Sequence, residues 1–392
     1  MTVSASRPAL RALTCAAALA LLAGCSGNVQ ENPPQPLTDF TPTAELNGQW
    51  SEGIGSLSRA RYPITPAISG DTIYAASAAG HLKAINIDNG QVRWEKDLDA
   101  KVSSGLTFDS GRLYFGTRNG QVMAVDGDSG DVAWRTTVSS EVLAPPQLNS
   151  SLVVVQSVDG ALTALDRFTG EQQWLYTSSQ PALTLRGTGT PRTIEPVTFA
   201  GFANGRLGVF DNRNGQQLWD MRVAVPKGRT AVEQLVDLDG QPVLTQQGQL
   251  FVTSYNGRVM ALNARNGETL WSRDESSYLT PVQVGDHLFT VNAKSEILAL
   301  DANTGRVIWK QDALSGRNLT APVFINGELA LGDYQGYIHL LDAETGEIAG
   351  RSHPGGDGIS VQPLASGNHL YVFTNDGELI AYDLKQLAAQ ND

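Results

Sequence analysis

The stretch Gly160-Ala161-Leu162-Thr163-Ala164-Leu165-Asp166, followed by Thr169-Gly170 and then Trp174, decides the fold. Its first seven residues carry the period-2 alternation of a half-buried strand, and the Thr-Gly pair ends it in a turn. Trp174 then lies in the returning strand. The same unit recurs along the chain. Gly120-Gln121-Val122-Met123-Ala124-Val125-Asp126 leads to Ser129-Gly130 and Trp134, and Gly257-Arg258-Val259-Met260-Ala261-Leu262-Asn263 leads to Asn266-Gly267 and Trp271. Further copies begin at Gly80, Gly205, Ser295 and Gly336. An eighth, Gly377 to Asp383, has no turn or tryptophan after it. The seven tryptophans Trp50, Trp94, Trp134, Trp174, Trp219, Trp271 and Trp309 are spaced 44, 40, 40, 45, 52 and 38 apart, and the next copy has Gly350 at the indole position. Self-similarity at about 40 residues means a propeller or a solenoid.

Each unit divides into four short strands. Pro281-Val282 and Pro322-Val323 open the first strand, Gly285 to Leu288 and Gly327 to Leu329 the second, and the alternating segment and the Trp segment complete it. No 12-residue helical stripe interrupts the region from Trp50 to Asp383, which favours blades over helical repeats. The chain ends complement each other: the last copy lacks its fourth strand, and Leu46-Asn47-Gly48-Gln49-Trp50 is a fourth strand without a preceding copy. The expected fold is therefore all-β, an eight-bladed propeller of four antiparallel strands per blade, closed by joining the N- and C-terminal strands in one blade. Closure leaves no unpaired end of the ring. The tryptophans are structural in this reading. Each buries roughly 200 Å² between blades, worth at most ~5 kcal/mol. The copy with Gly350 is then expected to be the weakest interior blade.

Composition removes several function classes. Of 392 residues, 28 are Lys or Arg and 40 are Asp or Glu, a formal net charge of −12. So acidic a chain lacks the electrostatic footprint for nucleic acid. The two cysteines, Cys15 and Cys25, exclude a disulfide framework and a Cys-rich metal site. The five histidines fall in different repeats without metal-ligand spacing. Asp126-Gly127-Asp128-Ser129-Gly130-Asp131 misses the EF-hand spacing and reads as the repeat's own turn. Phosphate-loop and Gly-x-Ser-x-Gly motifs are absent. No catalytic residue, metal site or cofactor is assigned.

The N-terminus reads as an address. Arg7 and Arg11 precede an apolar run from Ala12 to Ala23, too short to span a bilayer. Leu22-Ala23-Gly24-Cys25 resembles the bacterial lipobox, which implies cleavage before Cys25 and acylation of that cysteine. Two or more acyl chains hold a membrane stably. Ser26 after the cysteine, by the same resemblance, implies the periplasmic leaflet of the outer membrane. The expected organisation is a lipoprotein signal peptide over 1–24, acylated Cys25 and a flexible tether over 25–44, the propeller over 45–384 and a tail over 385–392. Pro33, Pro34, Pro36 and Pro42 make the tether extended, with a reach of at most about 60 Å.

Two families share these features. The Ala-Leu-Asp-x-x-Thr-Gly-x-x-x-Trp repeat resembles the tryptophan-docking motif of quinoprotein dehydrogenases, eight-bladed propellers around pyrroloquinoline quinone and calcium. Those enzymes are far longer and carry an adjacent cysteine pair over the quinone, which this chain lacks. Lipobox, proline-rich tether, eight repeats and length together are similar to the BamB family of outer-membrane β-barrel assembly lipoproteins, and that resemblance covers essentially the whole chain. Its more specific signals lie outside the repeat: Leu183-Thr184-Leu185-Arg186-Gly187, Val236-Asp237-Leu238-Asp239 and Gly336-Tyr337-Ile338-His339. The resemblance implies a non-catalytic scaffold that docks on the periplasmic POTRA domains of BamA and, through it, on the rest of the assembly complex. Unfolded outer-membrane proteins are further candidate clients, and outer-membrane lipid is contacted through acylated Cys25. A quinoprotein-type dehydrogenase and another envelope binding propeller stay open as alternatives.

Loop lengths point to the same working surface independently. Trp174 to Pro196 spans 22 residues and Trp219 to Pro242 spans 23, against 10 to 16 in the other copies that have a proline. Long loops on a rigid scaffold are where binding concentrates. Leu183, Leu185, Arg186, Asp237 and Asp239 are thus the expected BamA-docking patch. Internal pairing of Arg186 with Asp237 or Asp239 is the competing arrangement.

Overall fold

The computed structural model describes residues 32–59, 61–185 and 189–387. The signal segment, Cys25 and Arg186 lie outside the described residues. Among those described, thirty-two strands form eight four-stranded antiparallel sheets, and successive strands are neighbours in every sheet. Blades 1 to 7 occupy residues 67–97, 107–137, 147–177, 192–222, 243–274, 282–311 and 323–352. Blade 8 takes three strands from 364–386 and its outer strand, Ala44–Gly53, from the other end of the chain. Ala44 pairs with Gln386 and Gly53 with Glu378, so the ring closes as expected. The closing strand Glu378–Gln386 runs two residues into the segment expected as a tail.

The repeat now has a physical explanation, position by position. The Asx residue ending the third strand caps the turn. Asp166 Oδ1 accepts the Phe168 and Thr169 amides at 2.9 and 2.8 Å. These bonds, the Thr169 amide foremost, hold the Asp166 carboxyl below its ordinary range. The fourth strand carries a bulge, and the Trp-type residue after it pairs with the small residue of the third strand, as in Ala84 with Trp94 and Ala164 with Trp174. The indole then reaches the next blade. Trp50, Trp94, Trp134, Trp174, Trp271 and Trp309 donate Nε1–H, at 2.8–3.1 Å, to the carbonyl just after the neighbouring Asx residue. The turn glycine of that neighbour lies against the ring. At Gly170, Gly215, Gly305 and Gly346 a Cβ would come within 2.5–2.7 Å of an indole atom, and their φ of 70–76° is left-handed. Glycine is needed there on both counts.

Gly350 breaks the pattern for a reason of topology. Blade 8 has no Thr-Gly turn for an indole to dock on, because its third strand runs on to Gln386. The strand start Ala44 lies there instead, and a Cβ on Gly350 would be 2.5 Å from the Ala44 carbonyl oxygen. Ala44, Leu340, Ala349 and Leu384 pack together at this junction. The gap expected at Gly350 is filled by backbone.

The expected tether needs correction over its second half. Gln35 N–H donates to Ser315 O at 2.9 Å, and Thr43 N–H donates to Ala349 O at 2.9 Å. Leu37 packs on the cluster containing Trp309 and Leu319. Arg317, 2% exposed, donates to Gln35 O and Arg351 to Thr38 O, both at 3.2 Å, and the Arg351 guanidinium stands 4.9 Å over the Phe40 ring. Beneath this strap, Arg317 Nε donates to Asp333 Oδ2 at 2.6 Å and His339 Nε2 sits 3.0 Å from the same oxygen. Proline content suggested a free linker, but Leu37 and Phe40 supply enough apolar surface to dock it. The 60 Å reach therefore overstates what lies outside the propeller.

Candidate partner-docking face

Two connections between blades are longer than the rest: 178–191, joining blades 3 and 4, and 223–242, joining blades 4 and 5. The proline that opens blade 4 is Pro191, directly before the strand Arg192–Thr193. Pro196, used as the sequence marker, lies in the hairpin that follows. The first connection is thus shorter than the marker implied, yet it is still the second longest.

The two loops are stitched together. Leu185 N–H donates to Asp237 Oδ1 at 2.8 Å, and Thr190 N–H donates to Asp239 O at 3.2 Å. Gly189 permits the close approach, since a Cβ there would lie 2.4 Å from Gly201 O and 2.7 Å from Leu238 O. Leu183 is presented to solvent, 45% exposed, while Leu185 is half-buried. Leu235, Val236 and Leu238 are buried and fix the second loop to the propeller.

Asp237 does not supply the surface charge expected of it: it is 0% exposed. Its Oδ2 has no hydrogen-bond partner among the described residues. Burial pushes its carboxyl up to about 6 against the opposing bond from the Leu185 amide. Its place is that of a positioning residue, an acceptor that holds Leu185. Asp239 is half-buried and faces the central channel. Burial, helped by the Asp237 charge, pushes it up to about 8. The structure brings Leu183, Leu185, Asp237 and Asp239 to one face; Arg186 is not described.

Sequence reasoning passed over the rest of this face. Val225 and Val232 are 53% and 58% exposed on the second loop, where Lys227 and Arg229 also stand. Thr230 and Glu233 cap that turn reciprocally, with Thr230 N–H to Glu233 Oε2 at 2.9 Å and Glu233 N–H to Thr230 Oγ1 at 3.2 Å. The Thr-x-x-Glu spacing was a readable signal. Tyr255 and Tyr278 were invisible, because only the ring of blades carries them to the channel. Among the described residues no group of three or more His, Cys, Asp or Glu is placed to hold a metal ion.

A closed ring with two stitched, apolar-tipped loops on one face defines a binding propeller, a scaffold that presents loops. The family described as "Outer membrane protein assembly factor BamB" matches residues 39–101, 94–311 and 294–390. The protein of that description from Pseudomonas aeruginosa is 47% identical over 371 residues, covering 94% of this chain and 97% of the relative. The chain belongs to the BamB family. The crystal structure of BamB from Moraxella catarrhalis superposes with a TM-score of 0.79 at 25% identity, covering 86% of this chain and all of that one. The quinohemoprotein alcohol dehydrogenase of Comamonas testosteroni superposes with a TM-score of 0.67 at 13% identity over 86% of this chain and 76% of its own, a likeness of fold alone.

Proposed function

We propose that this chain is a non-catalytic scaffold for assembly of β-barrel proteins in the outer membrane, docking on the POTRA domains of BamA. Acylated Cys25 holds it to the periplasmic leaflet. The observation that carries the reading is the pair of stitched loops, which set an exposed Leu183 on a rigid support in a chain of this family. An apolar anchor on a preorganised loop beside charged groups has the anatomy of an interface. Leu183, Leu185 and Arg186 contact the partner, Asp239 stands at the edge, and Asp237 acts through Leu185.

Co-purification with BamA from solubilised outer membranes tests this. Arg186→Glu and Leu183→Ser should each abolish recovery of BamA while leaving thermal unfolding nearly unchanged. Asp237→Asn, which keeps an acceptor for the Leu185 amide, should retain the partner, and Asp237→Ala should lose it. Equal loss in both Asp237 variants would make its charge, not its hydrogen bond, the functional feature. Full recovery of BamA by Arg186→Glu would rule the patch out. Cys25→Ser should release the protein from membranes that lack BamA.

A further inference from the structure

The stitched loops leave one carboxyl group facing a cavity that presents no cationic side chain among the described residues. A cavity of about 680 Å³ opens in the central channel, large enough for a small molecule or one long side chain. Leu143, Leu185, Leu319 and Val361 make much of its wall apolar, while Asp239, Tyr255 and Tyr278 form its polar corner. The two tyrosine rings stand 6.2 Å apart at 60°. No Lys, Arg or His is among its lining residues, and the Asp239 side chain has no hydrogen-bond or ion-pair partner among the described residues.

Chemistry narrows the occupant. An anion meets no Lys, Arg or His among the described lining residues and disfavours ionisation of both acids, and a neutral apolar molecule leaves the Asp239 carboxyl without a partner. Two tilted aromatic faces beside a carboxylate are the arrangement that attracts an organic cation, the rings through their quadrupoles and the acid through its charge. We propose that this cavity is a binding site for an ammonium or guanidinium group carried on an aliphatic stem. Asp239 is the counter-charge, Tyr255 and Tyr278 are the aromatic walls, and the stem lies along Leu185 and Leu319. The site goes beyond the docking reading and shares only Asp239 and Leu185 with it. Its cation comes either from a free polyamine or from a basic side chain of a partner.

The protonation state of the corner adds a signature. With its carboxyl pushed up to about 8, Asp239 holds a proton in the empty site at neutral pH. A cation that requires the carboxylate expels that proton, so affinity rises about tenfold per pH unit below 8 and levels off above it. Among the described residues, the other titratable groups at this cavity are Tyr255 and Tyr278 in its lining and Asp237 behind Asp239. Burial holds the Tyr278 phenol above its ordinary range, so it stays neutral through this window.

Calorimetric titration of the purified full-length protein with n-butylammonium, and with n-pentanol as its neutral counterpart, tests the proposal. The ammonium should bind at least about tenfold tighter than the alcohol at pH 8, with proton release seen as a heat that differs between phosphate and Tris buffers. Asp239→Asn should remove that preference, and Tyr278→Leu should weaken the ammonium more than the alcohol. Spermidine binding well above n-butylammonium assigns the site to a free polyamine. Spermidine binding no tighter, with n-butylammonium displaced when BamA docks, assigns it to a partner side chain. Equal affinity for ammonium and alcohol, or an unchanged preference in Asp239→Asn, overturns the proposal. So does binding that appears only in Arg186→Gln, since the chain's own arginine then fills the site. The docking reading is scored separately, by BamA recovery with Leu183→Ser, so either can fail alone.

Discussion

Asp237 and Asp239 are two residues apart yet do different work, and the difference comes from what surrounds each carboxyl. Asp237 is enclosed and accepts one backbone amide, whereas Asp239 looks into the channel without a partner among the described residues. Both pKa values are raised, so each acid destabilises the fold once the unfolded chain has ionised and the folded chain has not. For Asp239 stability is complete below about pH 4 and is lost progressively as pH rises towards 8. Asp239→Asn has no such loss. It should raise the thermal midpoint at pH 8 and leave it almost unchanged at pH 4, as a pair of melting curves would show. The same shift at both values would mean that Asp239 is not held protonated. A site that keeps such a penalty is a common mark of function.

Across elements, the recurring contact is an indole of one blade hydrogen-bonded to the turn of the next. The ring, its Nε1–H donor and the turn glycine form one unit, so losing the ring removes packing and leaves the turn carbonyl unpaired. Trp174, 5% exposed and bonded to Asn212 O at 2.8 Å, should cost about 3–5 kcal/mol on replacement by Ala. The seventh blade answers to the opposite rule. Consensus with the other copies suggests Gly350→Trp as stabilising, but the Ala44 backbone occupies the space. That variant should destabilise the protein, read as a lower denaturant midpoint, and hydrogen exchange should show the loss concentrated at the junction of blades 7 and 8.

For the whole molecule, closure matters more than any one blade. The ring is shut by a single strand pairing, Ala44–Gly53 with Glu378–Gln386, and the strap from Gln35 to Thr43 is continuous with it. A chain ending at Asp376 leaves Ala44–Gly53 without its partner strand and blade 8 with open edges. It should aggregate on light scattering and unfold in more than one step, where the intact ring unfolds in one. Blade number, closure and the structural part of the tryptophans were legible in the sequence, because a strand's period and a turn's glycine are local and repeat eight times. The two long connections that carry Leu183 and Asp237 were legible as well, since insertions in consecutive connections stand out against a regular period. The burial of Asp237, the docking of Leu37 and Phe40 on blades 6 and 7, the filling of the Gly350 gap and the meeting of Asp239 with Tyr255 and Tyr278 were not. Each depends on segments distant in sequence or on backbone crossing from another blade, and no local pattern encodes what a folded ring brings within hydrogen-bond distance.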